Sequence, residues 1–306
     1  QQGYLPGESV SEYSEERRER EMARAYDLFE GWNGTYDGKI TCMASAQLVE
    51  TTSPSLLSDV KDLADRYNAM YTIHLSQSPL EVQSLLEMRS VRPTQSLFIN
   101  EFLGPKLLAA HCRFLDETEI ELLGTTDTKI AHQPAMAARR GMMPPVPAIR
   151  NAGCTIGLGT DNSTQDMVEV MRSGLFTERI LREDGSNPQP EDYLRMATIE
   201  GAEVLGQSQL IGSLEVGKAA DLFVVDAYSL NLLPTNRIVS SLINNGSPAN
   251  IESVMVNGNW LMRDSKILVL DERELAIEAD RVGRRAWRRL VEEYPSVKFP
   301  IELPPE

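Results

Sequence analysis

The chain holds three histidines, and each closes a short apolar run. His74 follows Met70-Tyr71-Thr72-Ile73, His111 follows Leu107-Leu108-Ala109-Ala110, and His132 follows Thr128-Lys129-Ile130-Ala131. Further on, Asp161 closes Thr155-Ile156-Gly157-Leu158-Gly159-Thr160. Ionisable side chains at the ends of successive buried strands converge on one mouth in a parallel barrel, where active sites form. Neutral imidazole is also a common metal ligand and an acid–base group. The pattern predicts a hydrolytic metal site, or most of one.

The elements that would hold these residues alternate. A helix over 14–31 carries the stripe Met22, Ala25, Tyr26 and Phe29. Strands follow over Ile40–Ala46, 70–74, 107–111, 128–131 and 155–158. Between them lie helices begun by Ser53-Pro54, by Pro79, by Pro93, by the Asp116/Glu119 capping-box pair and by Pro145, and a longer helix over 165–182. The stretch after His132, with Met136, Met142 and Met143, reads as a loop that either lines an apolar pocket or packs on itself. Strand–helix alternation means α/β with a parallel sheet. Five units do not close an eight-stranded barrel, and a bare parallel edge invites aggregation, so earlier strands are expected to be missing.

After Leu205 the texture changes. Residues 212–217 are a turn-rich connector, in which Lys218 and Asp221 are given structural roles. Asp221–Asp226 reads as a strand, and Asn257-Gly258 joins a hairpin over 253–256 and 259–262. A last helix spans 272–293 and a Pro-rich extended tail 295–306. The expected domains are a barrel portion over 1–210, a small β-sandwich portion over 211–268, and the helix with its tail over 269–306.

A net charge of −15 argues against nucleic acid or anionic membrane as a partner. The late run Arg281, Arg284, Arg285, Arg288, Arg289 reads as a solvated helix face. Cys42, Cys112 and Cys154 lack disulfide or metal spacing and fit small core positions in a reducing compartment, so the expected location is cytoplasmic. No stretch is long and apolar enough to span a membrane, and the first residues do not resemble a signal peptide. The chain starts at Gln1 rather than Met, so a processed, truncated or partial chain stays open.

Four segments in order, Ile73-His74-Leu75-Ser76-Gln77, Ala109-Ala110-His111-Cys112, Ala131-His132-Gln133-Pro134 and Gly159-Thr160-Asp161-Asn162, resemble the metal-dependent amidohydrolase superfamily. The resemblance points to its branch of S-adenosylhomocysteine deaminases, cytosine deaminases and atrazine chlorohydrolases and covers roughly residues 10–290. It implies a partial (β/α)8 TIM-type barrel, strands four to eight, with part of a small β-sandwich and a C-terminal helix. It implies one divalent metal, zinc first and iron or manganese as alternatives, with His74 and Asp161 as ligands. Asp161 would also take the proton of the attacking water, and His111 would polarise the substrate. Gln47, His132 and Asn162 would touch it.

Two departures stand out. The family's first-strand His-x-His pair is absent. The chain is then a fragment, a subunit completed by a second chain, or a form without metal. Gln77 occupies the position where deaminases of this branch carry Glu. Glutamine cannot shuttle a proton, which favours dechlorination or C–N/C–S cleavage over deamination. Outside the resemblance, His74 also reads as a core histidine, Asp161 as the N-cap of the 165–182 helix, and His132 as bonded to a loop carbonyl. The leading expectation is a hydrolase of a small nitrogen-rich heterocycle or amide-like substrate, acting as a homo-oligomer or with a second chain. The alternative is a metal-free pseudoenzyme or binding subunit completed by a partner chain.

Overall fold

Short apolar runs bounded by helix caps give the computed structural model its repeating unit; residues 13–162 and 164–299 are described. The parallel strands are β1 Ala44–Leu48, β2 Tyr71–Leu75, β3 Leu107–His111, β4 Lys129–His132 and β5 Ile156–Leu158. They pair in the order β1-β2-β3-β4-β5, each beside its sequence neighbour. A doubly wound sheet reverses its strand order at a switch point, and a barrel wall does not. The sheet is therefore α/β and a partial barrel wall.

The helices start where their sequences cap them. Ser53 accepts the Leu56 N–H at 3.2 Å ahead of Pro54–Arg66, whose Leu57, Val60, Leu63 and Ala64 are buried. Asp116 and Glu119 form a reciprocal capping box at the start of Glu117–Thr125. The register places Leu75 beside His111 and His132 beside Leu158, so the strand ends lie at one rim.

Two expectations change, and three helices are added. The first strand lies over Ala44–Leu48 rather than 40–46, so Gln47 sits within it. The supposed loop after His132 begins with a helix, Pro134–Arg139, whose Pro134, Ala135, Met136 and Ala137 are all buried while Ala138 and Arg139 are exposed; a helix of six residues with its burial in one consecutive run shows no amphipathic stripe. Helices Pro190–Ala197, Ile199–Val204 and Ile238–Asn245 went unread.

The chain divides into two units. The parallel-sheet unit runs as far as Lys218 and takes up Ala227–Pro248 again, because Ile238–Asn245 packs on Met167–Arg182 and Pro190–Ala197. Arg172 fixes that return by donating to the Ile243 carbonyl at 2.8 Å. The other unit, residues 219–226 and from 249 onward, is an antiparallel sheet of β6 Leu222–Val225, β7 Ile251–Val256, β8 Asn259–Arg263 and β9 Lys266–Ile267, followed by helix Glu272–Glu293. Asn257 and Gly258 both take positive φ, as a two-residue hairpin turn requires. Residues 1–12 of the expected barrel segment and 300–306 of the expected tail lie outside the described residues.

Candidate active site

His74 is oriented from the neighbouring strand. The β1–β2 register shifts between Ser45 and Leu48, and that irregularity brings the Gln47 backbone oxygen to 2.6 Å from His74 Nδ1. A carbonyl only accepts, so Nδ1 carries the proton and Nε2 keeps its lone pair. That is the arrangement of a metal-binding histidine. Gln47 thus acts through its backbone, and its side chain is exposed.

The turn after His74 is braced from below. The Glu81 carboxylate, 1% exposed, accepts the N–H of Ser76 and of Gln77, each at 2.7 Å. Burial and then nearby Glu50 push its pKa up to about 8, against the pull of those two donors. The bond fixes the backbone of Gln77, whose side chain is half-buried. Its signal was in the sequence: Ser78 and Glu81 have capping-box spacing, and Ser78 accepts the Glu81 N–H.

His111 stacks on His74, with ring centroids 5.3 Å apart and planes 17° from parallel. Its Nδ1 lies 3.3 Å from an Arg113 guanidinium nitrogen. Arginine only donates, so Nδ1 accepts and the ring proton sits on Nε2. Burial, then Arg113, then His74 depress its pKa to about 4. At neutral pH it is an uncharged ring with one N–H to offer.

Asp161 lies three residues past β5. Its Oδ1 accepts the Asn162 N–H at 2.6 Å, and its Oδ2 is 4.0 Å from His111 Nδ1, too far for a hydrogen bond. It does not cap the following helix; Asp166 does, accepting the Val168 N–H. The Asn162 side chain is exposed. His132 is 1% exposed, its Nε2 has no hydrogen-bond partner, and burial pushes its pKa down to about 3. Among the described residues no loop carbonyl reaches that ring nitrogen. Sequence reasoning missed Glu81, Arg113 and Gln133. The last is 8% exposed and stands beside His111.

The rim is built from strained backbone. Ser76, His111, Cys112 and Asp161 all take positive φ, at 47°, 77°, 51° and 55°. Non-glycine residues held there cost about 1–3 kcal/mol each and cluster at functional sites.

The donors suit a zinc ion in kind: an imidazole Nε2 whose ring is fixed from behind, and a carboxylate. They fall short in number. Among the described residues no group of three or more His, Cys, Asp or Glu is placed to hold a metal, while a catalytic zinc takes three protein ligands.

The amidohydrolase family profile matches residues 3–261. A 5'-deoxyadenosine deaminase of Methanobrevibacter smithii is 36% identical over 268 residues, which cover 85% of this chain and 61% of that protein. A 5-methylthioadenosine/S-adenosylhomocysteine deaminase of Pelotomaculum thermopropionicum is 34% identical over 264 residues, 84% of this chain and 60% of that protein. A zinc-bound adenosine deaminase from Xanthomonas campestris superposes with a TM-score of 0.82 at 25% identity, covering 90% of this chain and 62% of that one. A zinc complex of atrazine chlorohydrolase from Arthrobacter aurescens gives 0.78 at 22% identity, covering 86% and 60%, a likeness of fold alone. The chain thus spans 61% and 60% of the length of the two curated relatives.

Proposed function

The chain belongs to the amidohydrolase family, and from that premise we propose that it hydrolyses a small nitrogen-rich heterocycle or amide-like substrate with the help of one divalent metal. One observation carries the reading: His74, His111 and Asp161 share one rim, the rings stacked at 5.3 Å and the carboxylate 4.0 Å from His111. The zinc in two structural neighbours makes zinc the first metal to try.

His74 Nε2 and the Asp161 carboxylate would hold the metal, with the remaining ligands supplied from outside the described residues. Once bound, such an ion makes water a stronger acid and polarises the substrate. Asp161 accepts the proton of the attacking water. His111, neutral and with its proton on Nε2, donates to the charge that develops on the substrate. Gln77 hydrogen-bonds the substrate through its amide and takes no part in proton transfer. A leaving group that departs without a proton suits this set best. The names of the relatives make 5'-deoxyadenosine the natural amine substrate to test, and its 6-chloropurine counterpart the natural halide.

The experiment compares zinc-supported release of ammonia and of chloride from that pair. Chloride release should be the faster, and Asp161→Asn should lower it by about a hundredfold or more. Undiminished turnover in the Asp161 variant sinks the site, and dominant deamination by the unaltered chain sinks the role given to Gln77.

The shortage of metal donors favours a second reading, in which the chain is a binding subunit or pseudoenzyme completed by a partner. It predicts neither zinc retention nor turnover by the chain alone, with both restored when a polypeptide carrying the missing ligands is added.

A further inference from the structure

Arg113 enters the scheme above only by fixing the His111 tautomer, and its surroundings ask for more. It lies two residues past the end of β3 and is 6% exposed. Its backbone N–H donates to the Ser76 carbonyl at 3.1 Å, and the single hydrogen bond of its side chain among the described residues is the 3.3 Å contact from one terminal nitrogen to His111 Nδ1. A guanidinium carries five N–H donors in a planar fork, so most of this one's donors are unused. Among the described residues no carboxylate comes within ion-pair distance of it; the ion pair nearby is the 4.0 Å approach of Asp161 to His111. Asp161 is near enough to be felt but too far to pair, and Arg140 adds a second positive charge rather than cancelling the first. A buried charge without a counter-ion is costly unless something else supplies one.

The neighbours point the same way. Among the described residues His132 Nε2 is a buried polar atom without a hydrogen-bond partner, and the buried Gln133 side chain faces the same ring, His111. Gly159 faces Gln133 without a side chain; a Cβ there would lie 3.6 Å from the Gln133 amide nitrogen. In a chain of net charge −15, an enclosed cation beside the reacting groups is a local exception.

We infer that Arg113 is a substrate-recognition residue and that the substrate carries a carboxylate, bound by the free edge of this guanidinium and flanked by Gln133. A carboxylate matches the fork with two parallel N–H···O bonds. One negative charge also matches one buried cation, whereas a phosphate dianion would bring two charges close to Asp161. The inference rests on the hydrolase reading for the identity of the pocket, and it adds that a heterocycle bearing a carboxylate is bound in preference to a neutral one such as 5'-deoxyadenosine.

Binding can be measured without turnover. The chain would be titrated, in chloride-free buffer and without added metal, with pyrazine-2-carboxylate and with neutral 2-methylpyrazine, followed by ligand-observed NMR. The carboxylate should bind about tenfold tighter or more. Arg113→Gln should erase that preference without weakening the neutral ring. Arg113→Lys should keep part of it and guards against a Gln variant that fails to fold. Equal affinities, no saturable carboxylate binding, or a preference that survives in folded Arg113→Gln would each overturn the inference and leave Arg113 as a distant counter-charge for Asp161. Because no metal is used, loss of hydrolysis in Asp161→Asn tests the other reading separately; Asp161→Asn should bind the carboxylate at least as well as the unaltered chain.

Discussion

In the parallel-sheet unit, Leu57, Leu75 and Leu107 are wholly enclosed; in the antiparallel unit, Phe223, Val256 and Leu261 are 43%, 42% and 37% exposed. The strands of the two units are similarly apolar. Among the described residues, every buried apolar side chain belongs to the first unit, and in the second only polar Asn250 and Ser253 reach burial. The difference lies in what covers the sheet. Helices such as Pro54–Arg66 lay buried stripes against the parallel strands, while Glu272–Glu293 has no buried residue. An apolar strand is therefore a promise of burial that only a neighbouring element fulfils, and the chemistry has settled where that promise is kept.

The largest expected contrast is in core truncation. Leu75→Ala should cost about 2–5 kcal/mol in a urea titration, and Leu261→Ala within about 0.5 kcal/mol. Equal costs would mean that the β8 face is covered in solution and would break the comparison.

Acid should act on the first unit, which holds all three histidines. His132 has a folded pKa near 3 against 6.5 ordinarily, set first by burial and then by Arg113. Between those values the unfolded chain binds the extra proton. Its contribution is thus complete above pH 6.5 and is lost as pH falls towards 3, with a slope of about 1.4 kcal/mol per pH unit at most. His132→Gln should flatten that acid limb, and an unchanged slope would remove His132 as its source.

The smallest contrast uses one substitution in both units. Gly174 sits in helix Met167–Arg182, where a Cβ would stand 2.1 Å from a Tyr193 ring carbon. Gly174→Ala should destabilise by about 1–3 kcal/mol through overpacking. Gly283, inside Glu272–Glu293, has nothing within 4 Å of a Cβ. Gly283→Ala should stabilise by about 0.5–1 kcal/mol through helix propensity. Melting temperatures that move in the same direction for both would show that the late helix is packed after all.

The reach of the sequence follows the same division. β3 and the late helix lie where hydrophobic period and capping residues put them, Leu107–His111 and Glu272–Glu293, because each has an unambiguous pattern with a clear cap or end. Pro134–Arg139 was hidden because it is short and its buried residues, Pro134 to Ala137, are consecutive rather than spaced at the helical period. At the rim, His74, His111 and Asp161 were visible as polar punctuation on apolar runs. Arg113 was not, since an arginine just past a strand has no signature until the fold shows that nothing pairs with it. Glu81 has capping-box spacing to Ser78, yet its carboxylate turns to the Ser76 and Gln77 N–H groups, a partnership that only the fold shows.

The positive φ angles at Ser76, His111, Cys112 and Asp161 bear on how this chain can drift. Glycine would relax the backbone at any of the four. At Cys112, a buried thiol with no part in the proposed chemistry, that exchange trades packing against backbone ease and can go either way. At His111 and Asp161 the same relief deletes the group that the tension exists to aim. Mutational freedom around the rim is consequently uneven from one residue to the next, and the positions with most conformational ease to gain include those with most chemistry to lose.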